Sequence, residues 1–150
     1  MGKIEQRLQE LGIELPEVPN SLGNYIPANR SGNLVYTSGQ GSRNILGKVG
    51  GELSIEDGYA AAREATLRCL ACLKAELGSL DRVEKVFKVL GFIASAPGFT
   101  DQPTVLNGCS DLLIEVFGEK GRHARSAIGV SELPEGIAVE VEILVQVKDQ

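Results

Sequence analysis

The chain has 150 residues, of which 43% are hydrophobic and 23% are charged, a balance typical of one globular domain with its own core. Its net charge of −5 and pI near 5 argue against a broad nucleic-acid surface, which needs clustered lysine and arginine. No apolar run approaches the roughly 18 residues of a membrane span, and the N-terminus has no apolar signal region. We therefore expect a cytoplasmic protein with neither a membrane nor a nucleic acid as its partner.

The number and spacing of the cysteines and the single histidine argue against a metal site. Cys69 and Cys72 form a C-x-x-C inside a helical stretch, and no second pair completes a zinc site. We interpret them as small core residues one helical turn apart. His123 is the only histidine, which excludes a multi-histidine metal site and leaves one candidate for histidine-based catalysis. No metal site is predicted.

The N-terminal segment predicts a short helix followed by a linker. Apolar residues recur at helical spacing over 3–11, and Gly12 is a plausible end of this helix. The proline-rich stretch at 15–20 then predicts a linker to the rest of the chain.

Two strands and a long loop are predicted next. The strands are expected at 24–28 and 34–38, and the residues between them, 29–33, have the composition of a turn. Residues 39–52 contain five glycines, which favours a loop.

Three regular elements follow the loop. A helix is predicted at 54–77, where Ser54 and Asp57 resemble a capping box. A central strand is predicted at 83–94, and a second helix at 103–117. With a final hairpin the order is β-β-α-β-α-β-β, which predicts an α+β two-layer domain with two helices on one face of a small mixed sheet.

The last segment predicts a β-hairpin that carries one arginine and two glutamates. The turn at 133–136 has proline second and glycine fourth, as in a type I turn. The resulting register places Arg125, Glu140 and Glu142 on one face, among small residues. A loop one residue longer or shorter would reverse this parity.

An arginine beside a carboxylate on such a face fits the binding of a small carboxylic acid. The planar fork of Arg125 can hold both oxygens of a ligand carboxylate, and a nearby glutamate can serve as general acid or base. The alternative is a cross-strand ion pair between Arg125 and a glutamate, with no ligand. These residues alone leave both interpretations open.

The last strand has one apolar face and one mixed face. The apolar set should face the helices and consists of Val139, Val141, Ile143, Val145 and Val147. The intervening residues are neither wholly polar nor wholly apolar. This mixture predicts contact with another subunit or a lined cavity, and the alternative is an ordinary solvated sheet face.

Two motifs of the predicted hairpin resemble those of the RidA/YjgF family, the reactive enamine/imine deaminases. A small residue, Arg, Ser and an apolar stretch stand at 124–128, and an apolar–Glu–apolar strand segment stands at 139–141. The family's first hairpin, in which an apolar strand ends in Ser-Gly-Gln, is similar to residues 35–40. The order of the elements matches as well.

The resemblance implies a fold, an assembly and a chemistry. It implies a chorismate-mutase-like fold whose sheets form the inner barrel of a homotrimer, with ligand clefts between subunits. Active relatives hydrolyse 2-imino or 2-enamino acids to 2-keto acids and ammonia, and no cofactor is implied. The match covers about residues 20–148 of a single RidA-like domain, 1–150, in which 1–19 form an N-terminal helix and linker.

The resemblance also implies roles for individual residues. Arg125 would clamp the ligand carboxylate, and Glu140 would handle the attacking water. Glu142 is expected at an interface or in an ion pair. The other positions expected in the cleft are the side chains of Tyr25, Ser38 and Asn107 and the backbone N–H of Ala127.

The chain departs from the family pattern at several points. His123 stands where proline or a small residue is usual, Ala127 where many deaminases have cysteine, and Val141 where isoleucine or methionine is usual. The segments 41–52 and 97–102 are typical of a longer-chain subgroup of the family. They are expected to affect the substrate range more than the fold.

Two other functions remain open at this point. One is a non-catalytic trimer that binds small carboxylates such as keto acids. The other is the endoribonuclease or translation-inhibitor activity attributed to some family members, against which the acidic pI and the lack of a histidine pair or metal cluster count.

Overall fold

The computed structural model describes residues 2–18 and 23–148. The helices are α1 (Lys3–Glu10), α2 (Ile55–Leu77) and α3 (Gln102–Phe117). The strands are β1 (Ala28–Ser31), β2 (Leu34–Thr37), β3 (Gln40–Gly41), β4 (Val83–Ala94), β5 (Ala124–Val130) and β6 (Val139–Val147). Within the described ranges, no helix has the length and apolar character needed to cross a bilayer.

The structure confirms the predictions that depend only on residues close together in the sequence. Ser54 and Asp57 form the capping box of α2, because the Ser54 hydroxyl accepts from the Asp57 N–H at 3.1 Å and the Asp57 carboxylate accepts from the Ser54 N–H at 3.0 Å. Gly78 ends α2 with φ +82°, a backbone conformation that favours glycine. The bounds of β4 are those predicted. Cys69 and Cys72 are buried and form no disulfide, as expected for core residues.

The strands form one mixed sheet in the order β1-β2-β6-β4-β5, with β3 beside β6. β4 lies at its centre, antiparallel to β6 and parallel to β5. Helices α2 and α3 pack on the same face, where every apolar residue predicted for β6 is buried. The expected α+β architecture, with two helices on one face of the sheet, is therefore confirmed.

The predicted position of the first strand, 24–28, is wrong. β1 lies at Ala28–Ser31 and pairs with β2 through a two-residue turn in which Gly32 has φ +61°. A glycine at the first central position suits a hairpin turn of this length. Three of the four β1 side chains are exposed at the sheet edge, so apolar content does not mark this strand.

The predicted hairpin between the last two strands is also wrong, because β4 lies between β5 and β6. The turn at 133–136 belongs to a connection that passes from one side of β4 to the other. Glu135 has φ +61° and ψ 14°, and the Gly136 N–H donates to the Leu133 carbonyl at 3.1 Å. This is the geometry of a type II turn, not the type I turn that was predicted.

Two glycines let α3 approach its neighbours closely. A Cβ on Gly91 of β4 would overlap the Leu106 side chain, and a Cβ on Gly108 would overlap the backbone carbonyl of Tyr59 in α2. A side chain can rotate away, but a helix carbonyl cannot move without shifting the helix. The position of α3 over the sheet therefore depends on Gly108.

We predict that Gly108→Ala destabilises the protein much more than Gly58→Ala. Both changes add a methyl group inside a helix and gain similar helix propensity. The Gly58 methyl would meet valine side-chain methyls at 3.0 Å, whereas the Gly108 methyl meets backbone. We expect the free energy of unfolding to fall by about 2 kcal/mol more for Gly108→Ala, measured by urea denaturation at one protein concentration. Equal losses would contradict the close approach of the two helices.

Candidate active site

Arg125 lies on the face of the sheet that the helices cover. It pairs with Val89 across the parallel β4–β5 ladder, and paired residues share a face. Val89 is fully buried in the core beneath α3. The predicted placement of Arg125 on the same face as Glu140 and Glu142 is therefore wrong, because β5 pairs with β4 instead of β6.

The guanidinium of Arg125 contacts three neutral acceptors of α3. Nη1 donates to the side-chain carbonyl of Asn107 at 2.8 Å and to the hydroxyl of Ser110 at 3.1 Å. Nη2 donates to the backbone carbonyl of Pro103 at 3.2 Å. The structure thus brings Arg125 and Asn107, two residues predicted for one cleft, into direct contact.

Arg125 has no acidic partner in the described part of the chain. No Asp or Glu oxygen of residues 2–18 and 23–148 lies within 4.0 Å of it, although five other Lys or Arg side chains form such pairs. The cross-strand ion pair is therefore excluded among these residues. A half-buried cation held only by neutral groups attracts an anionic ligand.

Ala127 contributes backbone at the open edge of β5. The Val130 carbonyl accepts from the Ser95 N–H at 2.9 Å, so Val130 points its backbone groups toward the β4 side. Backbone direction alternates along a strand, and Ala127, three residues earlier, therefore points its N–H away from β4. Among the described strands β5 has no neighbour on that side, so this N–H, on the strand that carries Arg125, is available to a ligand carboxylate.

Two further polar residues, Ser110 and His123, lie close to Arg125. Ser110 was not predicted, and His123 was named only as a candidate for histidine-based catalysis. The ring of His123 contacts the Ser110 hydroxyl through Nε2 at 2.8 Å and the Gly121 carbonyl through Nδ1 at 2.6 Å. A cavity of about 250 Å³ opens there, lined by Ser110, Ile114, Arg122, His123 and Arg125. The signal for His123 was its position two residues before Arg125, next to the start of β5, but Ser110 required the docking of α3.

Glu140 lies on the opposite face of the sheet, as predicted, but away from Arg125. It pairs with Phe92 of β4, which in turn pairs with Ile128 of β5. With strands about 4.8 Å apart and a rise of about 3.3 Å per residue, the Cα atoms of Arg125 and Glu140 are roughly 14 Å apart. Their side chains point away from each other, so one chain does not bring them together.

The carboxyl group of Glu140 is half-buried and close to another acid. Burial, followed by the negative charge of Glu142, raises the pKa of Glu140 above its ordinary value. The Glu140 carboxylate packs against Gly39, which has no side chain. A Cβ on residue 39 would lie 2.5 Å from Oε2 of Glu140 and would clash with it. The Ser-Gly-Gln segment thus contributes a glycine that accommodates the acid.

Glu142 lies next to Glu140 on the same face and interacts with a tyrosine. Burial, together with the charge of Glu142 and a hydrogen bond to it, raises the pKa of Tyr36. Glu142 forms no ion pair with the described residues, so the ion-pair alternative for it is not supported there.

Ser38 and Tyr25 lie on the β2 side of the sheet, beside Gly39. The Ser38 hydroxyl donates to the Ile26 carbonyl at 2.6 Å, which ties the segment containing Tyr25 to the end of β2. Tyr25 lies in a loop, with 49% of its surface exposed, because the strand predicted around it begins later.

The predicted site residues therefore form two separate groups. Arg125, Asn107 and the Ala127 N–H lie between α3 and the β5 edge, whereas Glu140, Ser38 and Tyr25 lie toward β2 and β3. Among the described residues, no group of three His, Cys, Asp or Glu side chains has a metal-binding arrangement.

Similarity to known proteins identifies the family. The family described as "YjgF/chorismate_mutase-like, putative endoribonuclease" matches residues 5–142. Protein TCP17 of Trypanosoma cruzi is 44% identical over 154 aligned positions, which cover 99% of this chain and 96% of that protein. A 2-iminobutanoate/2-iminopropanoate deaminase of Dermatophagoides farinae is 33% identical, covering 91% of this chain and 95% of its own.

A solved structure shows the same fold. A protein of Shewanella oneidensis MR-1, whose crystal structure carries the same endoribonuclease description, superposes with a TM-score of 0.94 at 35% identity. The alignment covers 97% of this chain and all of that one. With its motifs, its architecture and these similarities in agreement, the chain belongs to the YjgF/chorismate-mutase-like family, the RidA/YjgF family that its sequence resembles.

Proposed function

We propose that this protein hydrolyses reactive 2-imino and 2-enamino acids to 2-keto acids and ammonia. The observation that carries the proposal is the guanidinium of Arg125, which is half-buried, held by Asn107, Ser110 and Pro103, and without an acidic partner among the described residues. The substrate carboxylate would supply the missing negative charge. The deaminase relative at 33% identity supports the same chemistry.

The reaction needs one bound water and one group that moves protons. The water oxygen forms a bond to C2 of the imine while the C=N electron pair moves to nitrogen, which takes a proton. The resulting carbinolamine loses its hydroxyl proton, the C–N bond breaks, and ammonia leaves. Glu140 would accept a proton from the attacking water and pass it to nitrogen, and would then accept the hydroxyl proton of the carbinolamine and pass it to the departing nitrogen. Its raised pKa brings it closer to the range useful for such transfer.

A complete site would require a second copy of the chain. Arg125 and Glu140 lie on opposite faces of one sheet, separated by β4. The face that carries Glu140 also exposes large apolar side chains, including Tyr36, Phe87 and Ile128 at 40%, 52% and 44%. We propose a homotrimer in which Arg125 of one subunit and Glu140 of the next meet in a cleft, a closed arrangement with equivalent interfaces.

Two other functions would give different experimental results. A protein that binds 2-ketobutyrate through Arg125 but does not accelerate imine hydrolysis would be a carboxylate-binding trimer. The endoribonuclease named in the family description would require RNA cleavage that persists through purification and is lost when Arg125 or Glu140 is replaced.

We predict that the protein accelerates keto-acid release from an imino acid generated by an amino-acid dehydratase, and that Arg125→Ala lowers kcat/KM at least tenfold. A charge-assisted hydrogen bond contributes about 1.5–3 kcal/mol, which the alanine variant loses. Arg30→Ala is the matched control, because Arg30 lies on the far strand β1 and donates only to the nearby Gly32 carbonyl among the contacts of the described residues. Release no faster than in buffer, or full activity in Arg125→Ala, would refute the deaminase.

We predict that two inactive variants restore activity when they are mixed. When Arg125→Ala and Glu140→Gln subunits share one trimer, one of its three interfaces pairs an intact arginine with an intact glutamate. The variants are co-expressed with different tags, mixed assemblies are isolated, and imine hydrolysis is measured against each variant alone. Activity that stays at the level of the single variants would place both residues of the site in one chain.

We predict that Glu142→Gln shifts the acidic limb of the pH–rate profile to lower pH. Glu140 acts as a base when deprotonated, so kcat/KM rises as the pH passes its pKa. Because the charge of Glu142 raises the pKa of Glu140, removing that charge lowers the pKa. Glu76→Gln on the exposed side of α2 removes a charge far from the site and should leave the limb unchanged. A limb that moves upward or stays fixed in Glu142→Gln would contradict the assignment.

A further inference from the structure

A chain of hydrogen bonds runs from the backbone at Gly121 to the guanidinium of Arg125. The Gly121 carbonyl contacts His123 Nδ1 at 2.6 Å, and His123 Nε2 contacts the Ser110 hydroxyl at 2.8 Å. The same hydroxyl oxygen accepts from Arg125 Nη1 at 3.1 Å. The family resemblance suggests proline or a small residue at position 123. This chain instead has a histidine there, whose side chain can gain or lose a proton.

The direction of each hydrogen bond follows from the first one. A carbonyl oxygen can only accept, so Nδ1 of His123 carries the proton. Burial, and to a smaller extent the charge of Arg125, lowers the pKa of His123, while the Gly121 hydrogen bond opposes this. A neutral ring with a proton on Nδ1 has a lone pair on Nε2, and Ser110 therefore donates its proton to it. The lone pairs of the Ser110 oxygen then face Arg125.

This arrangement fixes the orientation of the guanidinium. Both hydrogens of Nη1 are used, by Asn107 and by Ser110, and Pro103 accepts one hydrogen of Nη2. Arginine has five N–H groups, so Nε–H and one Nη2–H remain without an acceptor within the described ranges. These are two donors left for the oxygens of a carboxylate. If the imidazole held its proton on Nε2 instead, it would face Gly121 with a lone pair and compete with Arg125 for Ser110.

We propose that Ser110 and His123 are positioning residues that hold the fork of Arg125 toward the ligand carboxylate, through a neutral His123 whose tautomer the Gly121 carbonyl fixes. The inference rests on the proposed carboxylate-binding function of Arg125, although not on turnover. Neither residue touches the reacting atoms, and the carboxylate does not change during hydrolysis. Their loss should therefore weaken binding in the ground state and the transition state alike, which raises KM and leaves kcat nearly unchanged.

The tautomer is tested on the ligand-free wild-type protein. Since the chain has one histidine, a two-bond ¹H–¹⁵N correlation spectrum of the uniformly ¹⁵N-labelled protein contains one imidazole, which needs no assignment by mutation. We expect a neutral ring at pH 7 with Nδ1 protonated and Nε2 unprotonated. A ring that is protonated on Nε2, doubly protonated or averaging between tautomers would overturn the proposal. This measurement does not depend on activity.

The effect on Arg125 is tested by titrating 2-ketobutyrate in a calorimeter and by imine-hydrolysis kinetics. Ser110→Ala should weaken binding about tenfold, because Arg125 loses one charge-assisted contact. His123→Leu should weaken binding in the same direction, because the Ser110 hydroxyl is no longer oriented. Both should raise KM to the same extent as they weaken binding, with kcat within about threefold. His123→Gln keeps an acceptor near the position of Nε2 and should recover most of the affinity. Thr104→Ala removes a hydroxyl from the same helix that bonds Asp101 instead, and should bind like wild type.

The outcomes separate this inference from the proposed function. Binding that is lost in Arg125→Ala but unchanged in Ser110→Ala and His123→Leu refutes the positioning role and leaves the carboxylate site intact. Equal losses in His123→Leu and His123→Gln would also refute it, because they would indicate packing and not the acceptor. No binding of 2-ketobutyrate by the wild type would refute the carboxylate site itself.

Discussion

The site depends on a half-buried guanidinium that is hydrogen-bonded but has no acidic partner among residues 2–18 and 23–148. A buried cation without partners is costly, and the carbonyl of Asn107, the hydroxyl of Ser110 and the carbonyl of Pro103 offset part of that cost. All three belong to α3, so the position of that helix determines whether Arg125 is ordered. The backbone contact at Gly108 that lets α3 lie close to α2 is therefore also a requirement of the site.

Elements determined by adjacent residues could be predicted from the sequence. The capping box at Ser54, the glycine end of α2 and the bounds of β4 follow from local hydrogen bonding and periodicity. The pairing of the final strands could not be predicted from the turn at 133–136, because its proline and glycine also fit a type II turn within a longer connection. The strand–helix–strand order of β4, α3 and β5 was the better signal, since such units favour parallel neighbours.

One error in strand pairing changed the interpretation of the site. Opposite β6, Arg125 would share a face with Glu140, but beside β4 it shares a face with Val89 and lies under α3. The family resemblance named Arg125, Asn107 and Glu140 but not their relative positions. The contacts of Ser110 and His123 with Arg125 could not be found from the resemblance, because they exist only once α3 docks on β5.

The separation of Arg125 from Glu140 lets both groups keep the properties that the proposed chemistry needs. On one face of a hairpin they would neutralise each other, and the guanidinium would lower the pKa of the acid. With β4 between them, Arg125 keeps its charge for a ligand carboxylate, and burial together with Glu142 raises the pKa of Glu140 instead. In the proposed cleft between subunits, the substrate carboxylate, and not Glu140, would neutralise Arg125.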